Sequence, residues 1–555
     1  MTNIAKRIAI VSSVLAGILC VLMIANYIQT KSVDPLNSQA ISQLMTKLRE
    51  NPEDTVLIEQ IRALDLLARK AYFTHQWQIR TGSYLLFACV LISLLALKYI
   101  HTLQPRLPDL TKEPSSEKTL EGRIMSRKYI LYGGLGFVLL ALVLGVLSQT
   151  ELERIGVFRE GKSQAGSGYP GISEIRENWP GFRGPEGIGR AYHTDVPTEW
   201  DGSSGSNILW KIPIPLRGYN SPIIWGKKIF LSGADRTTQV VYGIDADSGE
   251  ILWQVELNDI PGSPESRPRV TEDTGFAAPT MTTDGTRVFA LFATGDIACL
   301  DFEGNRVWAK NLGVPDNHYG HASSLITYQD LLLVPFDQNT GGRLLALRTH
   351  SGELVYDQPR EVEISWASPI LVNTGNRDEL ILNANPFVMS HDPRTGRELW
   401  RVRCMLGEIA PSPAYADGMV FAVNDYARLA GIKVGETAEL SWEYIDDLSE
   451  VSSPLATEDF VFMAASYGTV SCLDSKTGER FWIEEFEEGF YSSPILVGDL
   501  VYLMDVQGVM YIFKADKEYQ LIRRNELGES AMSIPAFMHD RIYIRGRENL
   551  YAIGK

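Results

Sequence analysis

From Ser453 to Trp482 the chain reads SPLATEDFVFMAASYGTVSCLDSKTGERFW, and this stretch constrains the fold more than any other. A Ser-Pro anchor is followed by a short strand, an apolar strand and a third strand ending in Leu-Asp. A Thr-Gly turn then leads to a fourth strand carrying an aromatic. Four short strands punctuated by turns make one sheet that cannot bury both faces alone. A fixed repeat therefore implies an array of such sheets stacked around an axis.

The same order recurs at Ser221-Pro222, Ala278-Pro279, Ser323-Ser324, Ser368-Pro369, Ser412-Pro413, Ser453-Pro454, Ser493-Pro494 and Ile534-Pro535, at steps of about 40 to 57 residues. Aromatics on the outer strands keep the same phase: Trp210, Trp253, Trp308, Tyr356, Trp400, Trp442 and Trp482, with Ile522 in the remaining place. Their shared phase marks them as structural, each filling the gap between neighbouring units. The turn before the aromatic carries glycine, as in Ser351-Gly352 and Thr477-Gly478, where a hairpin needs positive φ. Asp245, Asp301, Asp392 and Asp474 stand beside these turns as braces that accept backbone N–H groups. The last anchor is followed by only three strands. The missing outer strand is found at the other end of the repeats, around Asn207 to Lys211, and lending it would remove both open sheet edges. The expectation is an all-β eight-bladed β-propeller of four-stranded blades with N-to-C strand closure, over residues 178–555.

With 555 residues the chain exceeds the size of a single core, and its hydrophobic fraction of 45% suits a folded protein. A formal net charge of −16 argues against a nucleic-acid partner, because phosphate would be repelled. The cysteines, Cys20, Cys89, Cys299, Cys404 and Cys472, form neither a CxxC nor an adjacent pair, so no zinc site, haem attachment or redox dithiol is indicated. Cys299 and Cys472 share one repeat position and read as small buried hydrophobes.

Before the repeats, residues 1–148 carry three apolar runs, about 8–28, 83–100 and 129–147, long enough to span a bilayer. Lys6 and Arg7, with Arg123, Arg127 and Lys128, place the N-terminus and the second loop in the cytoplasm. Three crossings then put the propeller on the extracytoplasmic side of a bacterial inner membrane, in the periplasm. Helical apolar spacing on both sides of Asn51-Pro52 predicts a hairpin over about 38–80. Residues 149–177 read as a polar, Gly/Ser-bearing linker. Gly166, Gly168 and Gly171 spell a glycine-rich motif there, but no strand precedes it.

GIDADSGEILW, CLDFEGNRVW, SHDPRTGRELW and CLDSKTGERFW, repeated in register, resemble the pyrroloquinoline-quinone (PQQ) repeat of quinoprotein-like propellers. NWPGFRGPEGIGRA, from Asn178 to Ala191, is similar to the lead-in of a bacterial, planctomycete-type subgroup. The resemblance spans roughly 207–555. It implies either a quinone-dependent dehydrogenase or a non-catalytic, BamB-like assembly propeller. Loops before each anchor and between the second and third strands would share one face around the channel. That face collects the binding candidates Arg217, Tyr219, His318, His321, Gln338, Trp366 and Tyr491. For PQQ, Trp366 is the stacking candidate. Glu408, Asn424 and Asp425 are oxygen-ligand candidates for Ca²⁺, and Asp337 or Asp505 the candidate catalytic base. His318 and His321, three apart, are also of a type that can hold a metal or substrate. The adjacent-cysteine disulfide of alcohol-oxidising relatives is absent, and the repeats are compact. The reading that follows is a membrane-anchored extracytoplasmic platform for an envelope protein partner; the alternative is a PQQ- and Ca²⁺-dependent membrane dehydrogenase acting on alcohols or sugars.

Overall fold

Within each repeat the second and third strands are the most apolar, and they form the buried middle of a four-stranded antiparallel sheet. Blade 6 is representative: Leu455–Ala456, Phe460–Ala464, Thr469–Asp474 and Arg480–Glu485 follow one another from the axis outward. Its outer strand is largely solvent-facing, which is why only its aromatic stands out in the sequence. The computed structural model describes residues 169–555. The expected spans, the hairpin at 38–80 and most of the linker lie outside the described residues. Among the described residues no helix is long and apolar enough to cross a membrane. The described tail of the linker holds one short helix, Ile172–Arg176.

Eight sheets stand in sequence order around an axis. Blade 1 begins at Ile223, blade 2 at Thr282, blade 3 at Ile326 and blade 4 at Ile370. Blades 5 to 8 begin at Ala414, Leu455, Ile495 and Ala536. The ring closes as the strand count requires. Ile208–Pro213 is the outer strand of blade 8, paired antiparallel to Asn549–Ile553 with Ile208 opposite Ile553 and Pro213 opposite Asn549. The core lies between adjacent blades rather than within one. Phe289 and Leu291 of blade 2 pack with Leu332 and Val334 of blade 3, and Phe421 and Val423 of blade 5 with Val461 and Met463 of blade 6. Each such fully buried side chain contributes roughly 1.5–3 kcal/mol.

The anchors have a role that their spacing did not disclose. At seven of the eight anchors the backbone N–H donates to the anchor hydroxyl of the next blade, at 2.8–3.1 Å, the exception being Ser493, whose neighbour Ile534 has no hydroxyl. The ladder runs from Ser221 to Thr280, Ser324, Ser368, Ser412, Ser453 and Ser493, and Ile534 N–H donates back to Ser221. These groups are buried, so each bond satisfies an N–H that water cannot reach. The ladder corrects one anchor. In blade 2 the position belongs to Thr280, two residues beyond Ala278, because only a hydroxyl completes the chain of bonds.

The lead-in, residues 178–191, fills the axial channel from the end where the first strands finish. Trp179 exchanges backbone bonds of 3.0 and 2.7 Å with Ile224 of blade 1 and stacks on Phe537 of blade 8. Pro180 O accepts from Thr283 of blade 2, and Gly189 O from Leu496 of blade 7, where Arg190–Ala191 adds a parallel strand. At the centre, Arg183 is wholly buried and donates to Pro413 O of blade 5 (3.0 Å) and Pro454 O of blade 6. With backbone carbonyls as its partners, its guanidinium is pulled by burial down to about 9.

Candidate binding face

Strands alternate in direction, so the loops preceding each anchor and those joining each second and third strand gather at one end of the barrel. The lead-in closes the opposite end. The open face is therefore the one at which the channel can meet a ligand, and the sequence candidates divide there by what already holds them.

The aromatic candidates assemble. Tyr319 stacks on Trp366 at 4.0 Å between centroids and on His318 at 4.2 Å. Its hydroxyl donates to Glu408 (3.2 Å), and Glu408 lies 3.7 Å from the His318 imidazole. Burial and the Glu408 charge push the Tyr319 phenol up to about 12. Trp366 is fixed by its N–H to Ile409 O, at 3.0 Å. Tyr219 and Tyr491 are half-buried at the same mouth, and burial raises the Tyr491 phenol. Arg217 is exposed and pairs with Glu548 at 3.3 Å; Gln338 accepts from Asp316 N–H at 3.0 Å.

The two histidines part company. His318 is exposed, whereas His321 is buried, edge-on to Phe336 and bonded to Gly313 O at 3.1 Å. Burial pulls the His321 imidazole down to about 4, so it is a neutral core histidine. The pair does not share a ligand position.

Both catalytic candidates are buried and bonded within the chain. Asp337 is buried in an ion pair with Arg360, whose Nη1 reaches both carboxylate oxygens, the two side chains being 3% and 0% exposed. Burial raises the Asp337 carboxyl, and the Arg360 charge opposes that rise. Asp505 is also buried and accepts the N–H groups of Gln507 and Val509, both at 2.9 Å, bracing its own turn. Burial raises its carboxyl. Among the Ca²⁺ candidates, Glu408 is engaged by His318 and Tyr319, and Asn424 gives its Nδ2 to Leu406 O. Asp425 is exposed. Among the described residues no three His, Cys, Asp or Glu side chains are grouped to hold a metal. Tyr319 lies tilted against Trp366, and both candidate bases are engaged in bonds within the chain.

Four side chains missed by sequence reasoning stand out on this face. Leu406, Tyr426, Ile445 and Tyr467, on neighbouring loops of blades 5 and 6, are 58%, 69%, 67% and 57% exposed. Tyr426 rests against Gly407, and the Tyr467 hydroxyl reaches toward Leu448 O at 3.4 Å. Large apolar groups left exposed on neighbouring loops of one face mark a surface that can meet another molecule. Their signal in the sequence is apolar residues inside polar loops, as in Tyr444-Ile445-Asp446-Asp447. It becomes informative only once those loops are known to share a face.

Fold, repeat and closure together define a PQQ-type eight-bladed propeller. More narrowly, the chain belongs to the family described as outer membrane protein assembly factor BamB, whose profile matches residues 192–312 and 365–555. The unmatched stretch between them is essentially blade 3, whose anchor lacks proline and whose outer aromatic is Tyr356. The chain is 19% identical over 319 residues to the outer membrane protein assembly factor BamB of Moranella endobia, covering 55% of this chain and 78% of that one. It is 21% identical over 306 residues to the same factor from Shewanella oneidensis, covering 51% and 68%. Among solved structures, the quinohemoprotein alcohol dehydrogenase of Comamonas testosteroni superimposes with a TM-score of 0.52 at 10% identity, over 68% of this chain and 80% of that one; this likeness is one of fold.

Proposed function

We propose that this protein is an assembly platform of the bacterial cell envelope. Its propeller binds a protein partner through the open loop face, and the apolar spans at 8–28, 83–100 and 129–147 anchor it in the inner membrane. On this reading the N-terminus is cytoplasmic, residues 149–177 form the tether, and the propeller of residues 178–555 works in the periplasm. The observation that carries the proposal is the exposed apolar group Leu406, Tyr426, Ile445 and Tyr467 on the face that the lead-in leaves open. Membership of the BamB family, whose named relatives are assembly factors, supports it. So does the engagement of the residues that quinone chemistry would need.

The test is mild crosslinking in cells that produce the full-length chain, followed by purification. Tyr426→Asp and Ile445→Asp should abolish recovery of a discrete protein partner, and Lys476→Asp on the opposite face should leave it intact. Equal recovery from all variants, or loss only with Lys476→Asp, would reject the platform reading. A saturable, Ca²⁺-dependent heat on titration with PQQ would replace it with the dehydrogenase.

A further inference from the structure

The open face places its loop cations unevenly. Its loop cations, Arg217, Arg236, Arg267, Arg269 and Arg547, all lie on blades 8 and 1 and on the long connection into blade 2. From residue 312 onward, the loops of this face up to residue 533 contain no lysine or arginine at all. They carry carboxylates instead, among them Asp425, Asp446, Glu450, Glu487 and Glu488. Partial burial, and after it the charge of Glu450, raise the Asp425 carboxyl. Glu450 is held in place by Ser466, whose N–H donates to it at 3.3 Å. The exposed apolar group of blades 5 and 6 lies in the same arc.

A second observation points the same way. Beside Asp425, Asn424 is fully buried, and its Oδ1 has no donor. Farther along the arc, the buried hydroxyls of Ser452 and Ser492 are also without partners. Buried polar atoms normally find a partner, and these three lack one within the chain. Arg480 and Arg428 reach this arc from its strands but are paired with Asp447 and Glu443, which leaves the exposed carboxylates and apolar groups of loops without lysine or arginine to one complementary counterpart. That counterpart brings positive charge, N–H donors and apolar side chains together.

We propose that the arc over blades 5 to 7 docks a segment of the protein partner rich in lysine or arginine and bearing leucine or tyrosine. Asp425 and Glu450 take its charges, and Tyr426 and Ile445 cover its apolar side chains. The proposal rests on the platform reading and names the chemistry of its partner.

The experiment is fluorescence anisotropy of labelled synthetic peptides titrated with the full-length chain in a non-ionic detergent. Three peptides of equal length serve as probes: one of Lys, Leu and Tyr, one with Glu in place of Lys, and one of Lys and Ser. The Lys–Leu–Tyr peptide should bind at least about tenfold more tightly than either of the others. Asp425→Asn with Glu450→Gln should weaken it by about tenfold, as should Tyr426→Ser with Ile445→Ser. Glu439→Gln with Glu458→Gln, which removes the same charge away from the face, should change it less than about twofold. Equal weakening by the control pair, or equal binding of the Lys–Ser peptide, would show attraction to net charge alone and overturn the proposal. A dimer of this chain that the arc variants dissolve would overturn it as well, since a second copy would then be the occupant. If these titrations fail while crosslinks from the open face still recover a partner, the arc assignment falls and the platform stands.

Discussion

At the scale of single residues, the most informative contact is between a tryptophan and the turn glycine of the following blade. Trp253 donates its indole N–H to Phe302 O at 2.9 Å, and its ring covers Gly304, whose φ is 87°. A Cβ there would come within 2.8 Å of the ring. Trp210 makes the same contact with Ala246 O and Gly249, and Trp308 with Thr349 O and Gly352. The glycine thus answers two demands, positive φ and an indole lying on it. Gly304→Ala should destabilise the propeller by about 2 kcal/mol or more in urea unfolding. Gly205→Ala, also at positive φ but with open space around it, should cost only about 1 kcal/mol. Equal costs would show that the indole contact contributes nothing. The phase of the tryptophans was legible because each must reach the next blade. Trp400 departs from the rule by donating to Glu379 of its own blade, which no spacing could announce. Burial pulls the imidazoles of His321 and His391 down to about 4, below the ordinary histidine value near 6.5. Between those values the unfolded chain binds more protons, so stability should fall as pH drops from about 6.5 toward 4. The double variant His321→Asn, His391→Asn should flatten that part of the profile; an unchanged slope would assign it to other groups.

At the scale of elements, the anchors and the lead-in differ in how far the sequence discloses them. In blades 1 and 4 to 7 Ser-Pro marks where the inner strand starts, since proline there gives up an N–H that no neighbour needs. The ladder of hydroxyls was hidden, because its bonds join residues about one repeat apart whose meeting depends on ring closure. Ser412→Ala removes the acceptor of the buried Ser368 N–H and should cost about 1–3 kcal/mol, whereas Ser441→Ala on an exposed outer strand should be nearly neutral. A difference below about 0.5 kcal/mol in chemical denaturation would remove the ladder from the account. The lead-in was recognisable as a motif, but its place inside the channel was not. Nothing local in Asn178 to Ala191 reveals that its partners are carbonyls from the inner strands of distant blades. Arg183→Ala leaves Pro413 O and Pro454 O unpaired around a void, while Arg183→Met keeps the volume and removes a buried charge. Amide exchange at Leu496, whose N–H donates to Gly189 O, should quicken more in the alanine variant than in the methionine variant. The opposite order would show that the charge, not the packing, holds the lead-in.

At the scale of the whole molecule, closure and plugging leave one face with the freedom to bind, and that face is where charge and apolar surface are unevenly spread. Blade number and closure were readable from the period and the displaced first strand. The site was only partly readable. Residue types on the rim could be listed, but whether a carboxylate is free or already paired depends on neighbours such as Arg360, which adjoins Asp337 only in three dimensions. Partner capture driven by the acidic arc should weaken as salt rises, while attachment through apolar contact alone would be insensitive to it. The most direct measurement is site-specific photocrosslinking in living cells, with a photoreactive side chain placed in turn at Tyr426, Ile445, Tyr467, Asp247 and Lys476 of the full-length chain. The account predicts discrete protein adducts from Tyr426, Ile445 and Tyr467, and none from Asp247 or Lys476 on the turn-bearing face. Adducts from Asp247 and Lys476, with none from the loop face, would contradict it.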